Sequence, residues 1–128
     1  MRTSLLVLTG ILGVSLAFAI GAGPVVAEDV APSYKASPDV YKVITENEHF
    51  RVIMATWKPG QRDKMHSHEG PLVGYRLTDC NLKVYNPDGS AKAREAKRGE
   101  ALFNPVIAAH SVENVGSSDC QLVIVEKK

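Results

Sequence analysis

From Val40 to the C-terminus, apolar residues come in short runs of β-branched, aromatic and aliphatic side chains, separated by Gly, Pro, Asn and Asp. The runs span Val40 to Thr45, Arg51 to Trp57, Leu72 to Leu77, Leu82 to Tyr85, Ala93 to Lys97, Ala101 to Phe103, His110 to Val115 and Gln121 to Val125. Runs of that length and spacing predict strands of an antiparallel sandwich or barrel. The separators carry turn chemistry: Asn86-Pro87-Asp88-Gly89 suits a hairpin, Asp79-Cys80-Asn81 is short enough to join two neighbouring antiparallel strands, and Lys58-Pro59-Gly60 closes the run ending at Trp57. No stretch of this region sustains a 3.6-residue apolar period long enough for a core helix, so the fold class expected is all-β.

The first residues follow a different pattern. Arg2 precedes a nearly unbroken apolar run from Leu5 to Ile20, and Val25-Val26-Ala27 leads into Glu28-Asp29, the layout of a secretory signal peptide cleaved after Ala27. The competing reading is an uncleaved anchor, but a span needs about 20 apolar residues, and Gly10, Gly13 and Gly21 interrupt this run. Residues 1–27 are therefore assigned as leader, with a periplasmic or secreted product in an oxidising compartment. Residues 28–40, polar and carrying Pro32, Ser33, Ser37 and Pro38, read as a flexible linker in which Tyr34 is solvated. Residues 41–128 make one small domain.

Charge narrows the partners. The formal net charge is +1, and no basic run exceeds Lys97-Arg98 or Lys127-Lys128, so neither a nucleic acid nor an anionic membrane surface is expected as partner. Candidate chemistry lies in His66-Ser67-His68, within Gly60 to Gly74, and in His110, within Gly99 to Asn114. Two histidines one residue apart share a face if the segment is extended, because strand side chains alternate. A nitrogen-only triad suits Fe(II) or Zn(II) first, with Ni(II) and Cu(II) as further candidates, and does not suit Ca(II) or Mg(II), which prefer oxygen. Three protein ligands also leave coordination positions open. His49, in Glu48-His49-Phe50, has no partner in sequence and reads as a surface residue.

The two glycine-led segments resemble the paired motifs of the cupin superfamily. Gly60, His66 and His68 match the first motif, and Gly99, Pro105, His110 and Asn114 match the second; Leu72 or Val73 stands where the family has its acidic ligand, and Ile107 where it has an inner glycine. The resemblance implies a double-stranded β-helix, the jelly-roll barrel, with His66, His68 and His110 projecting inward as metal ligands. Cupins that work with three histidines include thiol dioxygenases and diketone-cleaving dioxygenases. It therefore implies a small-molecule ligand presented to the metal, with Fe(II)-dependent dioxygenation as the enzymatic reading. Loss of the carboxylate removes a general acid or base and weakens isomerase or decarboxylase readings. The alternative from another class is a non-catalytic module holding a small ligand or a metal.

Further expectations rest on that resemblance. With Val73 in the carboxylate's place, period-two alternation turns Val73, Tyr75 and Leu77 inward and makes Tyr75 the candidate donor to a bound ligand, against a plain packing role. Met54, Met65, Trp57 and Phe103 are candidate pocket walls, with ordinary core as the competing reading. Glu69 either orients an imidazole or sits in solvent. In the implied jelly roll the strand from Leu72 lies antiparallel to the last strand, which brings Cys80 and Cys120 together for a disulfide. Barrel-edge dimers are common among the resembling proteins, so a homodimer is a candidate assembly.

Overall fold

The computed structural model describes residues 29–128; the signal-peptide assignment for residues 1–27 lies outside them. One helical turn, α1 (Ser33–Ala36), precedes nine strands: β1 (Tyr41–Glu46), β2 (Phe50–Trp57), β3 (His66–His68), β4 (Leu72–Arg76), β5 (Cys80–Tyr85), β6 (Ala91–Ala96), β7 (Ala101–Asn104), β8 (Ile107–Asn114) and β9 (Cys120–Lys127). They form a five-stranded sheet in the order β1-β2-β9-β4-β7 and a four-stranded sheet in the order β3-β8-β5-β6. Neighbours within each sheet are antiparallel, including β4 beside β9 as expected. Among the described residues no helix is long and apolar enough to cross a membrane.

Side-chain alternation explains where the core sits. In β2, Arg51, Ile53, Ala55 and Trp57 are buried while Val52, Met54 and Thr56 are only partly so. β9 buries Cys120, Leu122, Ile124 and Glu126, and β4 buries Leu72, Gly74 and Arg76. These faces meet Leu82 of β5 and Val112 of β8 across the sandwich. Gly60 and Gly99, which open the two motif segments, have φ of +75° and +85°, a conformation that side-chain-bearing residues rarely adopt.

Three expectations are corrected. The segment taken as a flexible linker is docked: Ser67 donates its backbone N–H to Ala31 O (3.0 Å) and its hydroxyl to Val30 O (2.8 Å), and Ser33, Ser37 and Val40 are buried. Tyr34 is half-buried and packs against the core rather than standing in solvent, with the Arg51 guanidinium 4.2 Å from its ring centroid. Its polar composition misled because the segment's hydrogen bonds go to β3 rather than to water. Asp79-Cys80-Asn81 does not close a hairpin; it carries the chain from β4 in one sheet to β5 in the other. The Asn86 to Gly89 turn does join the β5-β6 hairpin.

A buried carboxylate joins the elements around the histidines. Asp63, 5% exposed, accepts hydrogen bonds from Tyr41 OH (2.8 Å), Trp57 Nε1 (2.9 Å) and the backbone N–H of Val112 (2.7 Å). It thereby ties β1 and β2 of one sheet to β8 of the other, three residues before His66. Burial pushes its pKa up, but the His66 imidazole and the Val112 and Trp57 N–H groups together outweigh that and hold it below 3.8. Asp63→Ala leaves three donors without an acceptor and is expected to destabilise the domain by about 3 kcal/mol or more, read from urea unfolding. Because the folded pKa is depressed, the carboxylate's contribution is present above the unfolded value and lost as pH falls through the lower folded value. Asp63→Asn should therefore unfold with a shallower acid dependence below pH 3.8 than the wild type.

Cys80 and Cys120 form a disulfide with Cα atoms 5.1 Å apart, closing a separation of 40 residues. Each is the first residue of its strand, so the bond staples β5 of the four-stranded sheet to β9 of the five-stranded one. The chain-entropy effect of such a loop is about 2 to 4 kcal/mol. Cys80→Ser/Cys120→Ser should lower stability by that amount in urea melts, and protein made under oxidising conditions should show no alkylatable thiol before reduction.

Candidate metal centre

Strand pairing brings the three histidines together. His66 of β3 lies directly opposite His110 of β8, and His68 opposite Ile107, with a bulge between the two pairs. His66 and His68 share the inward face by alternation, so the three rings face one another with centroids 4.5 Å (His66 to His110), 5.1 Å (His66 to His68) and 5.2 Å (His68 to His110) apart. One potential ligand atom from each lies within 4.8 Å of the other two. His66 is 0% and His68 3% exposed.

Each ring is oriented by a different device. His66 Nδ1 lies 2.8 Å from Lys64 O, which only accepts, so Nδ1 carries the proton of the neutral ring and Nε2 keeps a lone pair. That Nε2 lies 3.2 Å from the Tyr41 hydroxyl, whose single proton serves either Nε2 or, at 2.8 Å, Asp63 Oδ2. Burial first, then the Asp63 charge and its hydrogen bond, push the Tyr41 pKa well up, so the phenol remains protonated. His68 Nδ1 lies 3.0 Å from Glu126 Oε2 with both groups buried, which again leaves Nε2 free. Glu126 is steadied by Arg51 at 3.5 Å, and Arg51 also reaches Glu46 (3.1 Å) and Glu69 (3.0 Å). Among the described residues His110 Nε2 is buried without a hydrogen-bond partner. Burial, then the neighbouring His66 and His68, lower the His110 pKa to about 3, keeping it a neutral ligand.

These features fit a divalent transition metal. One nitrogen from each ring converges within 4.8 Å of the other two, His110 Nε2 is buried without a hydrogen-bond partner among the described residues, and a carboxylate backs the His68 ring in the manner of known metal sites. A cavity of about 190 Å³ opens beside the centre, lined by Tyr41, Trp57, His68, Leu72, Arg76, Leu82, Val84, Arg94, Leu102, Asn104, Ile107, His110, Val112, Leu122 and Ile124.

The other expected site residues lie elsewhere. Tyr75 (51% exposed), Val73 (42%) and Phe103 (76%) stand on the outer face of the five-stranded sheet, and Met54 lines an outer groove with Asp39, Lys42 and Thr56. The inward residue of β4 is Leu72, not Val73; the alternation was right and its phase was off by one, which turned every side chain of the strand over. Val73, Phe103 and Val125 form instead an exposed apolar strip through cross-strand neighbours. Trp57 does line the cavity, while Met65 does not. Glu69 is exposed and pairs with Arg51; the carboxylate that orients His68 is Glu126. His49 is exposed beside Glu48. Asp63, Glu126, Arg51 and Arg76 were missed; for Arg51 and Arg76 the available signal was a charge in phase with the apolar face of a predicted strand, whereas Asp63 and Glu126 lie outside the predicted runs.

No sequence-family model and no curated protein matches the chain. Solved structures do match. A cupin domain from Bordetella pertussis Tohama I is 25% identical, with a TM-score of 0.64 over 70% of this chain and 92% of that one. An RmlC-like cupin with a double-stranded β-helix fold from Methanocaldococcus jannaschii is 13% identical, with a TM-score of 0.56 over 69% and 78%. A polyketide cyclase from Streptomyces resistomycificus is 20% identical, with a TM-score of 0.54 over 68% and 63%. Two antiparallel sheets in jelly-roll order, the inward histidine cluster and the likeness to the Bordetella domain make the chain a member of the cupin superfamily.

Proposed function

We propose that the chain is an exported cupin that holds one divalent transition metal through His66, His68 and His110 and presents it to a small molecule in the adjoining cavity. The observation that carries this reading is the buried, unpartnered His110 Nε2 beside two imidazoles whose Nδ1 atoms are already engaged. Export is supported by the Cys80–Cys120 disulfide, which persists in oxidising compartments. Bound Fe(II) would supply redox chemistry with dioxygen, and Zn(II) Lewis acidity.

The protein's own residues would bind and exclude water. Leu72, Leu102, Leu122 and Ile124 give the cavity apolar walls, and Glu126 and Lys64 O hold two ligand rings in the tautomer a metal needs. Among the described residues no carboxylate lines the cavity, which disfavours proton-abstraction chemistry and favours oxidation at Fe(II) as the enzymatic reading. The same lack of an acid or base favours, as the second reading, a module that binds without turnover. Oxygen consumption by the Fe(II) form with a panel of small organic acids and ketones separates the two.

Purified apo protein is expected to take up about one equivalent of Fe(II) or Zn(II), measured by elemental analysis after desalting. His66→Ala, His68→Ala and His110→Ala should each abolish stoichiometric uptake; retention by the triple variant would exclude this site. Glu126→Gln keeps the shape but weakens the ring's support, and should lower metal affinity about 10- to 100-fold in competition with a chromophoric chelator, while far-UV circular dichroism stays that of the wild type.

A further inference from the structure

Among the described residues two arginines are buried, and the fold treats them differently. Arg51, 8% exposed, has carboxylate oxygens of Glu46, Glu69 and Glu126 at 3.1, 3.0 and 3.5 Å. Arg76 is buried more deeply, at 4% exposed, yet no carboxylate lies within ion-pair distance of it among the described residues. Its guanidinium makes one weak contact, to Cys120 Sγ at 3.8 Å. Glu95 and Glu100 line a second, polar pocket with Arg76 and Arg94 but stay beyond ion-pair distance of Arg76, and a buried cation without a close counter-charge is unfavourable, which leaves room for an anionic ligand as its partner. Burial first, then the charge of Arg94, lower its pKa from the usual 12.5, with Glu100 opposing from farther away than an ion pair.

Arg76 projects from the inner face of β4 into the cavity that His68 and His110 also line, and Arg94 lines the same space from β6. Besides the two histidines, the uncharged polar side chains of the wall are those of Tyr41, Trp57 and Asn104, the last on the residue paired with Leu72. At about 190 Å³ the cavity is below the roughly 300 to 1,000 Å³ of sites for drug-sized ligands. A molecule held at Arg76 in so small a space also lies near the histidines.

We propose that Arg76, with Arg94 beside it, binds the carboxylate of a small organic acid whose apolar remainder lies along Leu72, Leu102 and Leu122 toward the histidine centre. The planar guanidinium matches a carboxylate through paired N–H donors. One deeply buried positive charge is balanced by one negative charge, which favours a carboxylate over a phosphate dianion. The position of the ligand relative to a metal rests on the metal-binding reading above; the anion subsite does not.

Calorimetric titration of the full domain, both metal-free and Zn(II)-loaded, with butyrate, butyramide and inorganic phosphate tests this. Butyrate should bind, and butyramide about tenfold more weakly or worse. Arg76→Gln should lose about tenfold in butyrate affinity at unchanged Zn(II) stoichiometry, and Arg94→Gln, at an exposed residue, should lose less. Should Arg76→Gln fail to fold, the wild-type Arg76 Nε–H resonance decides, since it must shift with the butyrate dissociation constant. Equal binding of butyrate and butyramide, no acid binding, tighter phosphate binding, or a silent Arg76 resonance overturns the proposal. If Zn(II) binding fails while the preference for acid over amide persists, the metal reading falls and the subsite stands; the reverse result removes the subsite alone.

Discussion

The Asp63 carboxylate is the interaction on which the rest of this barrel depends. It takes a phenol from β1, an indole from β2 and a backbone amide from β8, so two sheets and the approach to β3 share one buried negative charge. Such a group is tolerable in an apolar interior only when its lone pairs are filled, and here three donors fill them. Because Asp63 lies three residues before His66 and bonds to the amide two residues after His110, the same network sets the separation of the two strands that carry the histidines. Placement of the site and cohesion of the sheets are thus one arrangement.

A second polar chain runs on the other side of the centre. Tyr34 lies against Arg51, Arg51 against Glu126, and Glu126 against His68. This gives the N-terminal segment a function beyond coverage, since its docking on β3 closes the space in which Arg51 is held to its three acids. His110 has no comparable support on its buried nitrogen, and the two neighbouring rings depress its basicity further. The asymmetry of two braced imidazoles and one open nitrogen is what an ion would complete.

The face of β4 shows how a correct pattern yields a wrong site. Alternation was legible in Leu72-Val73-Gly74-Tyr75-Arg76, but nothing within five residues says which set is inside. An aromatic and a valine looked like pocket residues and an arginine looked like surface. The structure reverses this because β4 lies between β9 and β7, and register with β9 sets Arg76 beside Leu122 on the buried face. Burial of Arg76 cannot be inferred from propensity, since a charged residue is inside only where the surroundings offer it a role.

The sequence by itself determined the all-β class, most strand positions and the three histidines as a potential ligand set, while the resemblance of its two glycine-led segments to cupin motifs implied their pairing and the partnership of Cys80 with Cys120. These were legible because they rest on local spacing, on period-two alternation and on motifs whose residues stand at fixed offsets. Only the tertiary structure decided the roles of Asp63, Glu126, Arg51 and Arg76, the docking of residues 29–40 and the phase of β4. The physical reason is that a buried charge is specified by its partners, and here those partners come from strands distant in sequence: Glu126 stands 58 residues from His68, and Asp63 meets Val112 across 49.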